Sequence, residues 1–150
     1  MNKKDRELVF NKFGGLCAYC GCSLPLKGWH LDHIEPVGRM YENVKHPTEW
    51  KWKTVYKGMD NPERDVVDNA YPACAKCNIN KHGDSIEEFR KNIARYLASL
   101  NTRMVQYQMA KKYGLVVETG VEVKFYFEIH QSQNLTNPNQ PCAPSPPNSL

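Results

Sequence analysis

Two cysteine pairs, Cys17/Cys20 and Cys74/Cys77, each spaced by two residues, constrain this chain's fold more than any other feature. A C-x-x-C knuckle lets one turn present both thiolates to the same ion, and four such sulfurs complete a closed tetrahedral zinc site. Gly21 permits the tight turn after the first pair. Free thiols or a redox pair are the competing reading, and the duplicated spacing weighs against it. Cys22 lies close to Cys20, but Cys17/Cys20 matches the later pair better. A closed site does no chemistry itself. It ties an N-terminal knuckle to a distant helix start and so positions whatever lies between and after them.

The chain has 150 residues, 41% hydrophobic and 24% charged, which fits one soluble domain with attachments. No apolar run approaches the length of a membrane span. The charged start Met1-Asn2-Lys3-Lys4-Asp5-Arg6 has no apolar stretch behind it, so no signal peptide is expected. The expected location is a reducing cytoplasm, where paired cysteines more often hold metal than form disulfides. The net charge of +4 permits a nucleic-acid partner without requiring one. The positive excess falls in residues 3–57, whereas residues 60–88 lean acidic, as a divalent-cation site would.

The element pattern is α+β. Leu8, Val9, Phe10 and Phe13 predict a short helix stopped by Gly14-Gly15. Residues 29–34 read as a short strand ended by Pro36, and residues 66–71 as its return strand. Between them, residues 37–65 form a long insert whose central alternation over 49–57 reads as a strand or hairpin arm. Ser85 and Glu88 have capping-box spacing. The stripe Phe89, Ile93, Tyr96, Leu97, Leu100, Met104 and Tyr107 then predicts one long helix, or two broken near Asn101-Thr102, ending at Gly114. The alternation Val121, Val123, Phe125, Phe127, Ile129 predicts a half-buried C-terminal strand or β-hairpin. Residues 131–150, rich in Pro, Asn, Gln and Ser, are expected to be disordered, with Cys142 carrying no structural role.

Within this frame a second group of residues offers chemistry. His33 is a candidate general base, since imidazole titrates near neutrality. Asp32 supplies a hard oxygen for Mg2+ or Mn2+. Neighbours on a regular strand face opposite ways, so the two serve one site only if the strand twists or ends there. Cys74, Cys77, Asn78, Lys81 and His82 recur at helical spacing. Asn78 would offer a carbonyl oxygen to the cation opposite Asp32, with Lys81 or His82 near a phosphate oxygen. Asn69 would orient the His33 ring through a hydrogen bond. His30 is read mainly as structural. Singly, each residue has a bland explanation; their joint order relative to both knuckles argues for a site.

Cys17-x-x-Cys20-Gly21, Leu31-Asp32-His33-Ile34-x-Pro36, Asp68-Asn69 and Pro72-x-Cys74-x-x-Cys77-Asn78-x-x-Lys81 together resemble the HNH endonucleases, in their zinc-bearing, phage-type branch. The resemblance covers residues 6–89. It implies a ββα-metal, treble-clef-like core and one catalytic divalent cation. It also implies DNA cleavage leaving a 5′-phosphate and a 3′-hydroxyl. Carried over, Asp32 and Asn78 become metal ligands, His33 the water-activating base and Asn69 the residue that positions it. Asn78 stands where many members have histidine, and the insert is longer than in minimal members. The expected organisation is a nuclease core over residues 1–90 carrying the insert at 37–65, a helix and β extension over 91–130, and the tail.

In the insert, Trp50, Lys51, Trp52, Lys53, Tyr56 and Lys57 alternate aromatic faces with cations, as a DNA-binding arm would. The lysines are read as phosphate contacts. For the tryptophans, packing on the core is slightly preferred over stacking on bases. The competing function is a zinc-stabilised nucleic-acid-binding or phage packaging accessory module without turnover. Whether the chain forms a homodimer or takes a packaging partner stays open, as does a bacterial or phage-infected cell as its setting.

Overall fold

A computed structural model of the chain describes residues 1–46, 48 and 50–136. Its first helix, α1 (Lys3–Asn11), is capped by Asn2, whose side chain accepts from the Lys4 and Asp5 amides while Asp5 reaches back to the Asn2 N–H. The helix buries Val9 and stops ahead of Gly14 and Gly15, both at positive φ. The Cys17–Cys20 knuckle follows, closed by Gly21 N–H donating to the Cys17 carbonyl at 2.9 Å.

Strand β1 (His30–His33) pairs antiparallel with β4 (Ala70–Ala73), His30 opposite Ala73 and His33 opposite Ala70. The insert between them forms its own two-stranded sheet, β2 (Arg39–Lys45) with β3 (Trp52–Met59). Short 3-10 turns at Pro62–Arg64 and Val67–Asn69 return the chain to β4. The return strand thus starts at Ala70, after the predicted Val66. Helix α2 (Ala75–Lys81) begins inside the second knuckle, with Cys74 as its N-cap.

Ser85 and Glu88 form the predicted capping box at the start of α3 (Ile86–Arg103). A break at Met104 separates α3 from α4 (Val105–Lys112), and Gly114 at φ +72° follows. Helix α5 spans Tyr126–Thr136. Among the described residues the architecture is therefore α+β, with two small antiparallel sheets and five α-helices. No helix among them is long and apolar enough to cross a membrane.

The predicted C-terminal strand is not formed. Residues 115–125 carry no regular structure, Leu115, Val117 and Val121 are exposed, and Tyr126 begins a helix. A strand needs a neighbour to complete its ladder. Here the Tyr126 and Phe127 amides donate instead to the knuckle carbonyls of Tyr19 and Ala18, at 3.0 and 2.8 Å. This brings Phe125 into the core beside Phe89, their rings stacked 5.3 Å apart. Helix α5 also runs past Gln131, where the compositional shift had been expected to end regular structure. The rest of that tail, Cys142 included, lies outside the described residues.

The core joins Cys17, Tyr19, Leu24, Ala73, Phe89 and Phe125. Tyr19 is its hub, meeting Phe89 and Phe125 edge-on at 5.5 Å each. Arg90 fastens α5 to α3 by donating to Glu128 at 2.6 and 3.1 Å.

Candidate metal and hydrolytic sites

The ligand sulfurs of Cys17, Cys20, Cys74 and Cys77 all lie within 4.8 Å of one another. Four thiolates at about 2.3 Å from one zinc ion would be about 3.8 Å apart in a regular tetrahedron. Cys20 Sγ and Cys74 Sγ are 3.9 Å apart. The Cys74 amide points at Cys17 Sγ at 3.4 Å, and the Cys77 amide at Cys74 Sγ at 3.5 Å, so backbone dipoles already favour charged sulfur. Hydrogen bonds from Cys17 and Cys77 hold the Cys20 thiol down to about 3, while Cys77 is pushed up. Four crowded thiols cannot all ionise without a cation to hold the charge, and this cluster fits zinc. Cys22 stays outside the four. Its carbonyl accepts from the Cys17 amide, and burial followed by the neighbouring Cys20 raises its thiol pKa.

Each knuckle delivers one partner to Asp32. Tyr19, inside the first, donates its hydroxyl to Asp32 Oδ2. Lys81, one turn beyond the second, places Nζ 3.1 Å from the same oxygen and 2.8 Å from the His33 carbonyl. Lys81 is 0% exposed, which reverses its reading as a residue reaching a phosphate. Burial raises the Asp32 pKa, with Lys81 and Tyr19 acting in opposition. Burial, then Asp32, drives the Tyr19 hydroxyl pKa upward. A buried ammonium survives only with a close counter-charge and hydrogen-bond acceptors. Asp32 provides the counter-charge, and with the His33 carbonyl it accepts two of the three ammonium protons.

His33 turns to the opposite face of β1, as alternation requires. Its Nε2 lies 2.9 Å from Asp65 Oδ1, and the other Asp65 oxygen is 2.9 Å from the Met1 amino nitrogen. The Met1 amine and then His33 hold the Asp65 carboxyl below its ordinary range. An ionised carboxylate only accepts, so Nε2 donates to Asp65.

Asn69 takes a different part from the one expected. Its Oδ1 accepts from the Glu35 amide, and its Nδ2 donates to the Glu35 and Arg64 carbonyls, each at 2.9 Å. It pins the loop after β1 to the end of the insert, and Asp65, beside Arg64, holds the ring. The reason is placement: Asn69 ends a 3-10 turn, while Ala70 stands opposite His33.

Asn78 faces His30, with Nδ2 3.4 Å from Nδ1. The sequence-predicted residues therefore fall into three pairings: Asp32 with Lys81 and Asn78 with His30 between β1 and α2, and His33 with Asp65 on the other face of β1. His82 is exposed at the end of α2, at φ +52°. Sequence reasoning missed Asp65 and Tyr19. The acidic lean of residues 60–88 was the one signal for Asp65, and nothing in the C-A-Y-C spacing pointed to the tyrosine hydroxyl.

The chain matches no family model, no curated protein and no solved structure.

In the insert, Trp50 is 96% and Trp52 71% exposed, so the preferred reading that the tryptophans pack on the core is overturned. The β2–β3 sheet pairs only with itself among the described residues, which leaves no core for its aromatics to reach. Lys45 Nζ sits 4.9 Å over the Trp50 ring, and Lys57 pairs with Glu42 at 2.7 Å.

Proposed function

We propose that this chain is a metal-dependent DNA endonuclease of the HNH type. The antiparallel β1–β4 pair and α2 would form its ββα core, with a structural zinc at the four cysteines. The observation that carries the reading is the His33–Asp65 pair. A buried imidazole fixed by a carboxylate through Nε2 is a ready proton acceptor at Nδ1. His33 is the last residue of the strand that also bears Asp32 and faces the other way, so the two would serve one phosphate where that strand ends.

Mg2+ typically takes one or two carboxylates and completes its shell with water and phosphate oxygens. Asp32 and Asn78 offer one carboxylate and one carboxamide oxygen, a donor set that fits such an ion. A bound cation supplies charge neutralisation at the scissile phosphate. His33 would take the proton of the attacking water at Nδ1 as the new P–O bond forms and the P–O3′ bond breaks, Asp65 would stabilise the imidazolium that forms, and solvent water would protonate the leaving 3′ oxygen. Lys81 balances the Asp32 charge and, through the His33 carbonyl, fixes the backbone that carries the base. Lys51, Lys53 and Lys57 on the insert hold the flanking DNA phosphates.

The test is conversion of supercoiled plasmid in a series of divalent metals. Wild-type chain cuts with Mg2+ or Mn2+, EDTA stops it, and His33→Ala abolishes cutting while its circular dichroism is unchanged. Cutting by His33→Ala at the wild-type rate refutes the mechanism.

One observation favours a second reading. Asp32 is already engaged by Tyr19 and Lys81, and His33 and Asn78 face other partners. A zinc-stabilised DNA-binding module without turnover has this property. DNA binding with no cutting under any divalent metal would favour it.

A further inference from the structure

One face of the β2–β3 hairpin gathers aromatic side chains in an order that its register defines. In an antiparallel pair, directly opposed residues project to the same side. Tyr41 stands opposite Tyr56, Asn43 opposite Thr54, and Lys45 opposite Trp52. These three pairs therefore share one face, and Glu42/Val55 and Val44/Lys53 share the other. The Tyr41 and Tyr56 rings meet edge-on at 5.7 Å, and the Thr54 hydroxyl donates to Asn43 Oδ1 at 2.8 Å. Lys45 extends the face to Trp50.

All four rings are exposed, and the sheet that carries them makes no pairing with β1 or β4. Exposed rings in series are costly to leave in water unless something covers them. The cover must suit the charge: residues 39–59 carry Arg39, Lys45, Lys51, Lys53 and Lys57 against Glu42 and Glu49. Lys45 shares the face with the rings and Lys53 lies on the opposite face, so a hairpin of net positive charge presents flat apolar rings that complement a flat, polyanionic partner. Unpaired nucleobases on a phosphodiester chain meet both conditions, whereas the bases of a closed duplex keep their faces hidden. Same-face positions four residues apart on a strand lie about 14 Å apart, so Tyr56 and Trp52 belong to different bases. The Asn43/Thr54 pair between them offers hydrogen-bonding groups to a base edge.

We infer that this face is a stacking platform for single-stranded DNA, binding at least two unpaired nucleotides of one strand. The inference rests on the proposed nuclease reading for its biological sense and deepens it. The substrate would be DNA with an unpaired stretch beside the cut.

The experiment is equilibrium binding of the full zinc-loaded chain in buffer with no Mg2+ or Mn2+ added and no chelator, where no cutting occurs. The probes are a fluorescein-labelled dT12 oligonucleotide and a DNA duplex of equal length. The wild-type chain binds dT12 tighter than duplex, with quenching of tryptophan fluorescence. Trp52→Ala/Tyr56→Ala weakens dT12 binding by about tenfold or more, since each stacked ring contributes separately. Duplex affinity, zinc content and circular dichroism stay at wild-type values, and Trp52→Phe retains most of the binding. Equal affinity for the two probes, or dT12 binding unaffected by the double variant, overturns the inference. A concentration-dependent dimer that the double variant dissociates, with dT12 affinity unchanged, marks the face as a contact between copies and also overturns it. Plasmid cutting that persists beside unchanged dT12 affinity sinks the platform and spares the nuclease. Loss of dT12 affinity in the variant, with no cutting by any form, upholds the platform and removes the nuclease.

Discussion

Replacing Lys81 with methionine tests whether Asp32 depends on the helix that leaves the sulfur cluster. Lys81 is fully buried, and its Nζ lies 3.1 Å from Asp32 Oδ2 and 2.8 Å from the His33 carbonyl. At an effective dielectric of about 20, unit charges 3.1 Å apart attract by about 5 kcal/mol, which the desolvation of both groups largely offsets. Methionine keeps most of the volume but removes only one partner, so the desolvated carboxylate remains. The expected loss is about 3–5 kcal/mol, or roughly 10 °C in Tm for a chain of this size. Burial already raises the Asp32 pKa in the presence of Lys81, and removing the ammonium raises it further. The folded variant then retains a proton that the unfolded chain has released. Its deficit is absent below the ordinary carboxylate pKa of 3.8, grows as pH rises, and levels off above the folded pKa. Because the thiolates are themselves acid-labile, the measured quantity is the difference between variant and wild type. Urea denaturation of zinc-saturated protein from about pH 5.5 to 8.5 covers the useful range. Adding Asp32→Asn to Lys81→Met should recover a large part of the loss, because deleting both charges leaves neither unpaired. A Lys81→Met chain within about 1 kcal/mol of wild type, or a double variant no more stable than the single, would refute the reasoning.

Other consequences are open to simpler measurements. Asp65→Asn should slow plasmid cutting about tenfold or more without lowering Tm beyond a few degrees, because it replaces an accept-only carboxylate with an amide whose N–H can hold the His33 ring in the other tautomer and removes the charge that stabilises an imidazolium. Chelation, or Cys74→Ser, should release one zinc per chain by elemental analysis and abolish cooperative melting, since the cluster joins the two knuckles. Glu128→Gln should cost about 1 kcal/mol at neutral pH by loosening the α5 clamp on Arg90. Arg90 holds the Glu128 carboxyl below its ordinary 4.5, so this contribution is present above pH 4.5 and disappears as pH falls through the folded value. Acid titration of the melting difference between Glu128→Gln and wild type checks that sign. Neutralising Lys51, Lys53 and Lys57 together should flatten the salt dependence of duplex binding by up to about 3 in log–log slope. An unchanged slope would remove these lysines from the phosphate contacts.

Local signals carried well from sequence to structure. The C-x-x-C spacing located the four sulfurs, Ser85 and Glu88 located the start of α3, and the strand–lysine alternation located the hairpin. These depend on residues a few positions apart, whose geometry the backbone itself dictates. What failed needed knowledge of distant neighbours. The 121–129 alternation has strand period, yet its amides found the knuckle carbonyls of Ala18 and Tyr19 rather than another strand. Asn69 was assigned to a ring that the register gives to Asp65, across an insert whose return path no local pattern encodes. The burial of Lys81 was equally hidden, because a lysine on a short helix normally reaches solvent. The exposure of the tryptophans followed from an insert that pairs only with itself.

Tyr19 has a consequence for how such a chain can change over time. Its ring fills the centre of the aromatic cluster while its hydroxyl meets Asp32, and its backbone carbonyl receives the α5 segment. A substitution there that satisfied the packing would strand the acid, and one that kept the acid content would leave a hole among the phenylalanines. Diversification is therefore cheapest at the outlying hairpin, none of whose described residues belongs to the aromatic cluster.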